Sequence, residues 1–96
     1  MNTEINVEDL KRKKYRFISD PGHAWLEVPL ADISLTGIAD WISTYSYVNH
    51  GYVYLEEDCD AGLFIDAVGL GQGHFVFEYQ ESTPIHGYQR WGKGTN

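Results

Sequence analysis

The chain reads as a small α+β domain: a sheet of about five strands, in the order β-β-α-β-β-α-β, with two short helices on one face. Three observations predict it. Segments 23–28 and 74–79 alternate side chains with the two-residue period of strands. Segment 60–68 places Leu63, Phe64, Ala67 and Val68 on one helical face. Proline and glycine punctuate the chain at the intervals of short elements, as in Asp20-Pro21-Gly22 and Asn49-His50-Gly51. With 96 residues there is room for one domain, 1–96, able to hide roughly 65% of its unfolded surface.

The elements follow in order. Residues 1–10 are expected to be a flexible N-terminal segment, although Val7 to Lys14 can form one or two helical turns anchored by Leu10. Tyr15 to Ile18 is a short strand. The next strand, His23 to Val28, puts Ala24, Leu26 and Val28 on one face and His23, Trp25 and Glu27 on the other. Pro29 ends it and suits the start of a helix over 30–36, with Gly37 at the left-handed position that closes a helix. Strands at 44–48 and 52–55 flank the Asn49-His50-Gly51 turn. Asp58 or Asp60 can cap the helix that runs to about Val68. The last strand, 74–79, is expected to bring Phe75 and Phe77 into one core with Phe64 and Leu26. Residues 82–96 either stay flexible or dock. Docking is favoured, because leaving Ile85, Tyr88 and Trp91 in water is costly. Strand order within the sheet is not legible at this level.

Charge is distributed unevenly. The chain has 14 acidic and 7 basic residues, a formal net charge of −7. From Phe17 to Gln89 there is no Lys or Arg, while eleven Asp and Glu fall in that interval. Such a body repels nucleic-acid phosphates and anionic membranes and attracts basic partners. The basic run from Lys11 to Arg16 is expected to lie against that acidic body or to anchor an acidic partner. A lone cysteine, Cys59, cannot close an internal disulfide, which fits a cytoplasmic protein. No stretch approaches the roughly 20 apolar residues of a membrane span.

Three segments carry a resemblance: Gly22-His23-Ala24-Trp25-Leu26-Glu27-Val28-Pro29, Tyr45-Ser46-Tyr47, and Tyr54-Leu55-Glu56-Glu57-Asp58-Cys59-Asp60-Ala61. Together they resemble a group of small uncharacterised proteins encoded in bacterial, plasmid and phage genomes. The likeness spans roughly residues 15 to 80 and transfers no functional residue. It implies a mobile-element or accessory setting, in which small acidic proteins often act on host factors.

Among chemistry-bearing residues, Glu56, Glu57, Asp58 and Asp60 form the densest charge cluster. Acids at a helix start are the plainest account, and a partner-binding patch is the functional one. Their spacing lacks the glycine of an EF-hand loop, and no metal is expected there. The carboxylates around Cys59 favour its neutral thiol, so a small buried residue is expected rather than a nucleophile. His23, His50, His74 and His86 show no zinc-ligand spacing. His23, beside Asp20 and Glu27, is the best acid–base candidate, although a turn-stabilising hydrogen bond is the simpler role. The Gly69-Leu70-Gly71-Gln72-Gly73 run precedes a strand, whereas a phosphate loop follows one and opens a helix.

These residues predict a non-enzymatic binding protein without cofactor that engages a basic surface; in the setting the resemblance implies, that would be an inhibitor of the phage or plasmid type acting on a host factor in the manner of a DNA mimic. Its partner surface comprises Glu56, Glu57, Asp58, Asp60, Tyr88 and Trp91. An interaction module using an aromatic sheet face or the C-terminal tail is the alternative, and a small hydrolase built on His23 is the weakest one.

Overall fold

Asp20 closes the first hairpin. In the computed structural model, which describes residues 6–92, its Oδ1 accepts the backbone N–H groups of Gly22 (3.1 Å) and His23 (2.9 Å). This Asx-type turn joins β1 (Tyr15–Ser19) to β2 (Ala24–Pro29), paired antiparallel with Phe17 opposite Leu26. A second hairpin joins β3 (Tyr47–Asn49) to β4 (Tyr52–Glu56) through His50 and Gly51, both at positive φ (49° and 85°). A two-residue loop of that kind matches the twist of its strands. Of the expected end segments, 1–10 and 82–96, residues 1–5 and 93–96 lie outside the described residues.

Among the described residues three α-helices form beside the strands. The first, α1 (Val7–Leu10), is a single turn capped by the Asn6 side chain, and its Leu10 is buried. The second, α2 (Leu30–Thr36), ends at Gly37 with φ 72°, the left-handed closure expected there. The third, α3 (Ala61–Val68), ends at Gly69. Two more strands follow, β5 (Phe75–Tyr79) and β6 (Gln89–Arg90).

The α+β class is as expected, with a mixed sheet of six strands in the order β5-β1-β2-β4-β3-β6. The expected count was about five. The addition is β6, two residues long and too short to show any alternation. All pairings are antiparallel except β1 with β5. A parallel neighbour requires a crossover, and α3 lies within the β4–β5 connection.

Alternation along β2 sorts the two faces. Leu26 and Val28 are fully buried under the helices with Leu10, Ile33, Val53, Leu55 and Phe64. Trp25 belongs to a second cluster with Ile18, Tyr47, Tyr54 and Ile85. Among the described residues no α-helix packs on that second face. Residues 80–88 cross it instead, because β5 and β6 lie at opposite edges of the sheet. Ile85 is 2% exposed and Tyr88 packs against the same cluster, so this part of the C-terminal segment docks.

Phe77 departs from its expected place. Phe64 and Leu26 are fully buried and Phe75 packs against their cluster, but Phe77 is 63% exposed. Helix α2 covers β2 and β4 at the centre of the sheet, while β5 is an edge strand. Alternation identifies a face but not how far the covering layer extends.

Candidate functional site

Two cations of the N-terminal run, Lys13 and Arg16, fold back onto the body. Arg16 donates from Nε and Nη2 to Glu78 (both 2.9 Å) and from Nη1 to Glu27 (2.9 Å). That contact to Glu78 raises the guanidinium pKa further and holds the Glu78 carboxyl below its ordinary value. Tyr54 donates to the same Glu27 (2.9 Å), and burial together with that bond pushes its phenol pKa up. Lys13 reaches the buried Asp32 (2.6 Å), which also accepts from Tyr15 (2.9 Å). Part of the acidic body is therefore neutralised from within.

A cleft of about 460 Å³ remains outside this network. The turn between β4 and α3 supplies Glu56, Glu57, Asp58 and Cys59; the β1–β2 turn and β2 supply Gly22, His23 and Trp25. His86 enters from the C-terminal strap, and Tyr45, Tyr47 and Arg90 complete the wall. Arg90 is held in place: it donates to the Thr44 carbonyl (2.9 Å) and lies over the Tyr47 ring (5.1 Å). Trp25 is 1% exposed, and its Nε1 is buried without a hydrogen-bond acceptor among the described residues.

Glu57 and Asp58 are exposed, and no Lys or Arg among the described residues lies within ion-pair distance of them or of Glu56. Glu56 is half-buried, and its Oε1 accepts the N–H groups of Asp58 and Cys59 (2.9 Å each), so it shapes the turn as well. Two expectations for this turn need correction. Asp60 stands at the N-terminal cap of α3, yet its side chain does not cap the helix. It is 2% exposed and accepts from the Ser43 N–H and from the hydroxyls of Ser43 and Ser46. A partner cannot reach a carboxylate so enclosed, so Asp60 supports the turn from below. Cys59, expected to be buried, is exposed in the turn. Local desolvation, a hydrogen bond to Glu56 and the charges of Glu56, Asp60 and Asp58 all push its thiol pKa up, which opposes a nucleophilic role.

At the other side of the cleft, His86 Nε2 lies 2.7 Å from Asp20 Oδ2 and His23 Nδ1 lies 3.9 Å from Asp20 Oδ1. The two imidazoles meet edge to face at 5.0 Å, and both contact the Trp25 ring. Burial alone would raise the Asp20 carboxyl pKa. Hydrogen bonds from His86, Gly22 and His23 outweigh it and hold the group below its ordinary value. Glu27, the other acid paired with His23 in the sequence reading, is engaged by Arg16 and Tyr54 instead. Three residues here, Asp20, His23 and His86, have donor atoms close enough to share an ion.

Tyr88 and Trp91 are half-buried. Tyr88 packs on Tyr54 (5.3 Å), and Trp91 joins the helix-side core while its N–H bonds to the Ser46 carbonyl (2.8 Å). They hold the strap more than they extend the acidic surface. Tyr45, 62% exposed in the cleft wall, had no signal in the sequence beyond its place in Tyr45-Ser46-Tyr47. His86 had none either, since its partner Asp20 precedes it by 66 residues. Among the described residues no helix is long and apolar enough to cross a membrane. Comparison with protein-family models, with curated proteins and with solved structures finds no match to this chain.

Proposed function

We propose that this chain is a small non-enzymatic binding protein that receives the basic surface of a protein partner on the acidic side of its cleft. One observation carries the reading. Glu27 and Glu78 on the sheet and Asp32 in α2 have cationic partners, whereas Glu57 and Asp58 line the cleft side by side, exposed and without one among the described residues. Unneutralised carboxylates beside an exposed aromatic, Tyr45, suit the ammonium or guanidinium group of a Lys or Arg side chain. In the setting implied by the resemblance, the partner is a host factor whose basic surface otherwise meets DNA phosphate.

Capture of partners from bacterial lysate on the immobilised protein tests this. The expected partner is basic, elutes with salt, and is lost by the Glu57→Gln/Asp58→Asn double variant. A partner retained equally by that variant and at high salt contradicts the reading.

A second reading rests on a different observation. Edge strand β5 leaves Val76, Phe77 and Tyr79 exposed at 45%, 63% and 60%, with Phe77 stacked on Phe17 at 5.9 Å. An aromatic edge strand can accept an added strand from a partner. Loss of the captured partner on Phe77→Lys, with the acidic double variant unaffected, favours this reading.

A further inference from the structure

We propose that Asp20, His23 and His86 form a binding site for a divalent transition-metal ion of the zinc class, with two imidazole nitrogens and one carboxylate oxygen as ligands. Their donor atoms all lie within 4.8 Å of one another. In a tetrahedral zinc site, bonds of about 2.0 Å place ligand atoms about 3.3 Å apart. The 2.7 Å separation of His86 Nε2 from Asp20 Oδ2 must open slightly, and His23, whose Nδ1 lies 3.9 Å from the carboxylate's other oxygen, Oδ1, must swing toward Oδ2. Rotations of side chains that are about half exposed, at 53% and 46% for the two histidines, supply both movements.

The surroundings resemble the support that metal ligands need. Backbone N–H groups of Gly22 and His23 hold Asp20 Oδ1, which fixes the carboxylate and leaves Oδ2 toward His86. The Trp25 ring packs against both imidazoles and limits their orientations. Two imidazoles with one carboxylate suit zinc, copper, nickel or ferrous iron, whereas magnesium and calcium prefer oxygen ligands throughout. Three protein ligands leave a coordination position, and both histidines line the cleft, so that position is open to water or to a bound group. On binding, bonds to the ion replace the hydrogen bond between His86 Nε2 and Asp20 Oδ2, and the neutral imidazole of His86 carries its N–H on Nδ1. The ion then ties the strap, through His86, to the β1–β2 turn.

This site does not depend on the proposed partner, and it is tested on the full chain alone with zinc chloride as the probe. Calorimetry reads affinity while NMR follows the imidazole nitrogens of all four histidines. The expected result is saturation by one ion, with the resonances of His23 and His86 moving and those of His50 and His74 unmoved. His23→Ala and His86→Ala should each weaken zinc at least as much as the roughly 10–100-fold lost with an outer-sphere partner. The NMR readout uses the unmodified chain, so a variant that fails to fold leaves the test intact. Absence of saturable binding, or shifts confined to His50 and His74, overturns the proposal. So does an affinity unchanged in both folded variants, which would place the ion on the carboxylates of the β4–α3 turn.

Discussion

Asp60 is one of four acids within five residues, yet its carboxylate accepts from Ser43 and Ser46 rather than facing solvent. Asp60→Ala leaves those buried donors without an acceptor, at about 1–3 kcal/mol for each unsatisfied group. We expect a loss near 3 kcal/mol in urea unfolding, and a smaller one for Asp60→Asn, which keeps an acceptor. Asp20 gives a pH dependence. Its folded pKa is depressed, so the unfolded chain, titrating near about 3.9, takes up the proton first as pH falls. Its contribution is present above that value and is lost as pH drops through the folded pKa. Asp20→Asn should therefore flatten the fall in stability on the acid side, below about pH 5, and leave a neutral-pH difference of its own. Wild-type and variant curves that run parallel through that window would contradict the assignment. Cys59 belongs to the same scale. Exposed but with its thiol pKa raised, it should react with iodoacetamide more slowly at pH 8 than a free cysteine peptide, and faster in an Asp58→Asn variant.

Elements explain what periodicity could and could not reveal. The alternation of β2 identifies its two faces correctly, because each face meets a different covering layer. The turns were legible for local reasons: Asp20 bonds to the N–H groups two and three residues ahead, and Gly37 and Gly51 adopt positive φ. For β5 the same alternation misleads, since an edge strand shows the pattern without being covered along its length. Phe77→Ala should accordingly cost less than about 1 kcal/mol, whereas Phe64→Ala should cost about 3–5 kcal/mol. The strap carries a matching prediction. Ile85 is buried against Ile18, Trp25, Tyr47 and Tyr54, so Ile85→Ala should cost about 2–5 kcal/mol despite lying in a polar tail. Equilibrium urea unfolding of the three variants measures all of this. A cheap Ile85→Ala would show that the strap is not part of the folded core.

Across the whole molecule, the absence of Lys and Arg from 17–89 predicted a surface more uniformly acidic than the one observed. Arg16 and Lys13 precede that interval and fold onto it, as expected of the basic run, but charge counting alone does not show that their partners are Glu27, Glu78 and Asp32. The acidic turn at 56–58 was legible because its residues are consecutive. The histidine side of the cleft was not, because His86 reaches Asp20 only through the strap that crosses the sheet. In the proposed function, the exposed carboxylates of Glu57 and Asp58 steer a basic partner into the cleft. The direct measurement is stopped-flow association with the captured partner as a function of salt, for the wild type and for Glu57→Gln/Asp58→Asn. Steering predicts an on-rate that falls steeply with salt, a dissociation rate that changes little, and a double variant that is slower at low salt with a shallower salt slope. An on-rate indifferent to both salt and the two substitutions would contradict it.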